Sequence, residues 1–360
     1  MRLMTTYVND NYPIVIEQGA LNQPYDFSKY DFRFAFIDEQ VYQYHAVMID
    51  TFLNKHQIKK VVIPSGEKIK QLKFYEEYIN LLLEHKITRN SCLFAIGGGA
   101  CGDFTGFVAA SILRGIDFIQ IPTTILAHDS AVGGKVGINS KYGKNLIGAF
   151  KRPKAVIYDL RFLSTLSTTE TLSGFTELIK HVFINPNLDI YRLMNDFKEM
   201  NDLKDFHKLE SWLTKGIQTK LEIVIQDEFE GNKRKYLNFG HTFGHAIEVV
   251  NRIPHGIAVH YGIIFALVLA NFPSKFINQY VKWTSQLGYP NDQIQMMDFN
   301  FYLEKMKQDK KNKGQHVHFV LLKKNDKDQK NILLIESIEE EALYNTFNAF
   351  KAIVGESNEK

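Results

Sequence analysis

Over the first 160 residues, apolar positions fall in short β-type runs separated by stretches of helical spacing. The runs are Tyr12 to Ile16, Arg33 to Ile37, Val61 to Pro64, Cys92 to Ile96, Ile116 to Ile121 and Ala155 to Asp159. Between them, Val41 to His56, Leu72 to Leu83 and Phe104 to Leu113 have helical patterning, with Phe74, Tyr78, Leu81 and Leu82 along one face of the second. Strands alternating with helices predict βαβ units and a parallel sheet. Beyond Phe162 the period is helical almost throughout: Leu172 to Phe183, Ile190 to Phe197, Leu209 to Val224, Phe239 to Val250 and Ile257 to Phe272. A late strand, Val317 to Leu322, and a helix from Ile338 to Val354 follow. The expected architecture is a Rossmann-like α/β domain over residues 1–160 and a mainly α-helical domain over 161–360.

Composition narrows the class. The chain is 45% hydrophobic and 23% charged, values of an ordinary globular protein, and its net charge is only +3. That balance gives no bulk electrostatic case for nucleic acid. The N-terminus lacks a signal-length apolar core, and the longest apolar stretch, Ile257 to Phe272, is broken by His260, Tyr261 and Asn271. Cys92 and Cys101 form neither a CxxC pair nor a disulfide framework. A cytoplasmic protein without membrane association is expected.

Three stretches carry candidate chemistry. Gly97-Gly98-Gly99-Ala100-Cys101-Gly102 satisfies GxGxxG between a strand and a helix, where backbone amides approach a pyrophosphate at the positive helix end. Asp38 ends the second strand, where an acid can accept from a ribose. Asp129 to Lys135 and Gly143 to Phe150 place Lys135 and Lys144 beside glycines, a pattern suited to a phosphorylated or carboxylated ligand. Finally, Leu237 to Glu248 sets His241 and His245 one helical turn apart, with Asn238 a turn before and Glu248 nearly a turn after. His255 and His260 follow, and Glu177, Lys180 and His181 share a face of an earlier helix. Carboxylate and imidazole donors suit a divalent metal, but spacing alone does not choose three ligands from these candidates.

Taken together, these segments resemble the 3-dehydroquinate synthase family of sugar phosphate cyclases. The matching pieces are Gly97 to Phe107, Arg114-Gly115, Pro122-Thr123-Thr124, Asp129 to Lys135, Lys144-Asn145, Gly174 to Lys180, Arg234 with Leu237 to Glu248, and His255-Gly256. They occur in family order; Ala131 replaces a serine and Ser173 an asparagine often found there. The resemblance implies a carbon–oxygen lyase of the shikimate pathway, serving chorismate and aromatic amino acid synthesis. It would convert 3-deoxy-D-arabino-heptulosonate 7-phosphate into 3-dehydroquinate and phosphate. The implied course is transient NAD-dependent oxidation at C5, β-elimination of phosphate, re-reduction, ring opening and intramolecular aldol closure.

The same resemblance implies NAD and one divalent ion per subunit, zinc or cobalt, held by Glu177, His241 and His255. It implies cofactor contacts at Asp38, Glu67, Lys70, Gly98, Gly99, Ala100, Asp103, Thr123, Thr124, Lys144, Phe162, Leu163, Ser164 and Thr165. Substrate binding falls to Arg114, Lys135, Asn145, Lys180, Lys220, Arg234, Asn238, His245 and Lys310. Of these, Lys135, Asn145, Lys180, Arg234, Asn238 and His245, together with Asp129, form the catalytic set, with His245 moving protons. A homodimer is implied. The alternatives are an inosose or valiolone synthase, for which the acid-binding pair Lys220 and Arg234 would have no carboxylate to hold, and a metal-dependent polyol dehydrogenase.

Overall fold

In a computed structural model, the structure describes residues 1–291, 294–308, 316–324 and 331–355. The chain divides into two units, Met1–Leu166 with Leu213–Leu221, and Ser167–Trp212 with Glu222–Lys360.

The first unit carries strands β1 (Arg2–Met4), β2 (Pro13–Glu17), β3 (Arg33–Asp38), β4 (Lys59–Ile63), β5 (Cys92–Gly97), β6 (Asp117–Pro122), β7 (Lys135–Ser140), β8 (Gly143–Phe150) and β9 (Ala155–Asp159). Its helices are α1 (Glu39–Lys55), α2 (Leu72–Glu84), α3 (Gly99–Ser111) and the short α4 (Ala127–Ser130). Among the described residues, seven strands form one sheet in the order β1-β2-β9-β6-β5-β3-β4, parallel throughout except where β1 runs against β2. The strands read as near-continuous apolar runs because both faces are covered. On β3, Ala35 and Ile37 join one buried cluster, with Phe52 of α1, while Phe34 and Phe36 join the other, with Phe104 of α3.

The order of strands reverses around β3, which has β4 on one side and β5 on the other. Ligands of open α/β sheets bind beyond the carboxyl ends of strands at such a reversal. Here those ends are Asp38 and Gly97, so close that a Cβ added to Gly97 would lie 3.1 Å from that of Asp38.

The parallel sheet and the helical second half agree with the expected fold class. Two local features were not anticipated. β7 and β8 pair as a separate antiparallel hairpin, with an irregularity between Ile138 and Ser140. A second late strand, β11 (Asn331–Ile338), pairs with β10 (Val317–Lys324).

The second unit contains α5 (Thr168–Ile184), α6 (Ile190–Asp196), α8 (His241–Asn251), α9 (His255–Leu269), α10 (Ser274–Leu287), α11 (Phe299–Gln308) and α12 (Glu340–Gly355); α7 (Phe206–Gln226) lends its central residues to the first unit. A capping box between Ser167 and Glu170 starts α5. Two glycines let backbones touch. A Cβ on Gly256 of α9 would fall 2.1 Å from the Ser173 carbonyl oxygen of α5, and one on Gly262 would fall 1.8 Å from that of Gly240. No described helix is long and apolar enough to cross a membrane.

Candidate active site

Helix α8 starts later than the periodicity suggested. Asn238 ends a preceding 3₁₀ turn, Lys233–Asn238, and Gly240 takes a left-handed conformation at φ 77° before His241 opens the helix. Asn238 is therefore not one turn earlier on the same helix: the positive φ, which glycine adopts without a Cβ penalty, breaks the run. His255 likewise opens α9, directly after Pro254. Glu177 lies in the middle of α5 and is 2% exposed.

Among the described residues two groups of donors converge within 4.8 Å: Glu177, His241 and His255, and His245, Glu248 and His255. In the first, the Glu177 Oε1 atom is 3.5 Å from His241 Nε2 and 3.6 Å from His255 Nε2. Those separations exceed an ordinary hydrogen bond. They match instead the edges of a tetrahedral site, since bonds of about 2.1 Å put neighbouring donors about 3.4 Å apart. The far nitrogens of both rings are engaged: His241 Nδ1 with the Phe239 carbonyl at 3.1 Å, His255 Nδ1 with Glu248 Oε2 at 2.8 Å. Such partners fix the tautomer and aim Nε2 at a cation. The residues present thus fit a divalent metal.

Electrostatics agree with that reading. Burial drives the His241 imidazole well below its ordinary value, despite the nearby Glu177 carboxylate, so its neutral, ligating form is favoured. For His255 burial acts in the same direction, but the carboxylates of Glu177 and Glu248 outweigh it and raise the group to about 9. Positive charge is welcome at this point. Lys180 is buried and ion-paired with Glu177. The His245 ring centroid lies 5.2 Å from that of His241 and 5.8 Å from that of His255. His181 is buried but belongs to neither donor group.

A second constellation lies in the first unit. Lys70, 1% exposed, donates to Asp103 Oδ2 at 2.7 Å and to the side-chain oxygen of Asn145. The Asn145 amide donates to Asn139 Oδ1 at 2.9 Å, and Asn139 Nδ2 donates to Glu67 Oε2 at 2.8 Å. Residues expected to face cofactor and substrate are thereby joined. Asp38 caps α1, accepting from the Gln40 and Val41 amides at 3.0 and 3.3 Å, from the Gly66 amide at 3.3 Å and from the Ser65 hydroxyl.

Gly98 is the N-cap of α3, with Ala100 in its first turn. Thr123 is buried, and Thr124 Oγ1 accepts from the Ala127 amide at 3.2 Å. Phe162 and Leu163 are buried in a 3₁₀ turn; Ser164 donates to the Arg161 carbonyl, and Thr165 Oγ1 meets His45 Nε2 at 2.8 Å.

The remaining predicted residues are placed as follows. Lys220 is buried and forms an ion pair with Asp129 at 3.0 Å. Arg114 is exposed, with a left-handed backbone at φ 67°. Lys135 and Lys144 are exposed on the hairpin. Arg234 is buried and donates to the Glu228 carbonyl. Lys310 lies outside the described residues. Sequence reasoning assigned no role to Asn139 or Glu248. The polar Asn139 closing the run Val136-Gly137-Ile138 was the only signal for the first, and Glu248 was visible three residues beyond His245.

The class is defined by the fold first. The structure is similar to a 2-deoxy-scyllo-inosose synthase complexed with carbaglucose-6-phosphate, NAD+ and Co2+, with TM-score 0.83 and 22% identity, covering 97% of this chain and 99% of that one. It is also similar to a 2-epi-5-epi-valiolone synthase from Streptomyces hygroscopicus subsp. jinggangensis 5008 with NAD+ and Zn2+ bound, at TM-score 0.81 and 19% identity over 94% and 96% of the chains. These likenesses show a shared fold. Sequence narrows this further: residues 60–173 match the 3-dehydroquinate synthase N-terminal family and residues 174–312 its C-terminal counterpart. A 3-dehydroquinate synthase of Macrococcus caseolyticus (strain JCSC5402) is 50% identical over 362 residues, 99% of each chain. The chain belongs to the 3-dehydroquinate synthase family.

Proposed function

We propose that the protein converts 3-deoxy-D-arabino-heptulosonate 7-phosphate into 3-dehydroquinate and phosphate. The observation that carries this reading is 50% identity to a 3-dehydroquinate synthase along 99% of both chains. The convergence of Glu177, His241 and His255 supports it.

Glu177, His241 and His255 would hold the divalent ion, zinc or cobalt. NAD would be held in the first unit by the strand ends at Asp38 and Gly97, by Gly98 to Asp103, and by Glu67, Lys70, Thr123, Thr124, Lys144 and the turn from Phe162 to Thr165. When bound, NAD supplies a hydride acceptor that is regenerated within the cycle, and the ion supplies Lewis acidity. His245 relays the hydroxyl proton, for which an imidazole suits neutral pH. Lys135, Asn145, Asn238, Arg114 and Lys310 hold the phosphate. Lys220 and Arg234 hold the carboxylate, which a guanidinium can grip with two parallel hydrogen bonds. Asp129, paired with Lys220 at 3.0 Å, keeps that ammonium placed. Lys180, paired with Glu177, sets a positive charge beside the ligand carboxylate. Clamping both ends of one intermediate keeps its orientation through successive steps. The enzyme works as a cytoplasmic homodimer.

An assay with metal, sub-stoichiometric NAD and the heptulosonate phosphate tests this. Phosphate release far exceeding the NAD supplied, without accumulated NADH, is expected. Net NADH formation, or turnover only of a neutral hexose phosphate, would overturn the reading.

A further inference from the structure

The hairpin β7–β8 loses its regular register between Ile138 and Ser140, leaving Asn139 at the irregularity. Bulges of this kind re-aim a side chain and recur beside active sites. The extra residues lie on β8, where 144 to 146 stand opposite Asn139 alone, and the Asn139 carboxamide uses both of its ends. Its oxygen accepts from the Asn145 backbone amide at 2.9 Å, and its nitrogen donates to Glu67 Oε2 at 2.8 Å. Asn145 holds a left-handed backbone at φ 57°, a conformation that asparagine tolerates better than most non-glycine residues. Its side-chain oxygen accepts from Lys70, whose ammonium also meets Asp103 at 2.7 Å. One chain of hydrogen bonds therefore runs Glu67–Asn139–Asn145–Lys70–Asp103.

We propose that Asn139 is a positioning residue, a brace that locks Asn145 to Glu67 so that the substrate-facing hairpin and the cofactor-facing residues take up one geometry together. The proposal rests on the function above for which ligand each end faces. It adds a residue to which that function assigns no part.

Charge logic supplies the test. In Asn139→Asp the acceptor for the Asn145 amide survives, but the donor to Glu67 becomes a like charge. In the double variant Asn139→Asp/Glu67→Gln, an amide at 67 can donate back to the carboxylate at 139. Loss of one such bond is expected to lower kcat for phosphate release about tenfold in Asn139→Asp, and the double variant to recover at least about threefold over it. Asn139→Ala should raise the KM for the heptulosonate phosphate while leaving the melting temperature within a few degrees, a split that a merely structural residue would not give. The same variants are titrated with NAD in the absence of substrate, where coupling of positions 139 and 67 should again be non-additive. Wild-type kinetics in Asn139→Ala, or strictly additive effects in both measurements, would overturn the brace. If the wild-type chain released no phosphate from this substrate, the function would fall, and the NAD titration would decide the brace alone.

Discussion

His255 meets Glu248 at 2.8 Å through Nδ1 while its Nε2 lies 3.6 Å from Glu177. The contact with Glu248 orients a ligand that α9 alone would leave free to swing about its χ angles. Removing such a partner typically weakens metal binding 10- to 100-fold. Glu248→Ala should therefore raise the dissociation constant for Co2+ by about that factor, and Glu248→Gln, which still offers an acceptor, by less. Competition with a chromophoric chelator measures both. Equal affinities in all three proteins would remove Glu248 from the ligand's support.

His241 and His245 share a face of α8 with ring centroids 5.2 Å apart, yet their donor groups differ. His241→Ala should lose the metal. His245→Ala should keep it and lose about 10²- to 10⁴-fold in turnover, the usual share of a proton-transfer group. Metal content by mass spectrometry, set beside phosphate release, separates the two; equal metal loss would merge their roles.

Gly256 permits backbone contact between α9 and α5 next to a metal-ligand position. A methyl group there would enter the Ser173 carbonyl, and a backbone oxygen cannot yield as a side-chain tip can. Gly256→Ala should lower the melting temperature by roughly 5–10 °C, in line with overpacking costs of a few kcal/mol. It should also weaken Co2+ binding by displacing His255. An unchanged melting curve would show that the two helices part readily.

His260, fully buried, contacts Asn291 Oδ1 at 2.7 Å and the Tyr280 hydroxyl at 3.3 Å. Burial pushes its imidazole down to about 4, against the opposing hydrogen bond that it donates to Asn291. The unfolded chain then binds the proton first, so stability is full above about pH 6.5 and falls as the pH drops toward 4, by up to roughly 3 kcal/mol. His260→Gln should flatten this part of the stability curve. Denaturant melts of both proteins between pH 8 and pH 4.5 check it, and parallel curves would exclude the histidine as the source.

Where each reading succeeded or failed has a physical reason. The β5–α3 junction was legible because an apolar strand gives way abruptly to glycines and then to helical spacing. The β7–β8 hairpin was not, since its strands carry glycines and exposed lysines, and its buried face is only Val136 and Ile138 with the half-buried Ile147 and Ala149. Asp38, an acid between a strand and a helix, also carries a cap signal, and its carboxylate does cap α1. The start of α8 was misplaced because Gly240 looks like any other helix residue until its φ is known. Asn139 and Glu248 act through partners brought near by a bulge and by the turn between α8 and α9. Neither relation is written in spacing along the chain.

The three metal-ligand positions sit on α5, α8 and α9, and no two of these helices alone present the full donor set. Capture of a cation by the second unit is thus a report that all three have docked. During refolding, helical circular dichroism should return before the visible absorption of bound Co2+, and the interval between them would time the closing of that helical core.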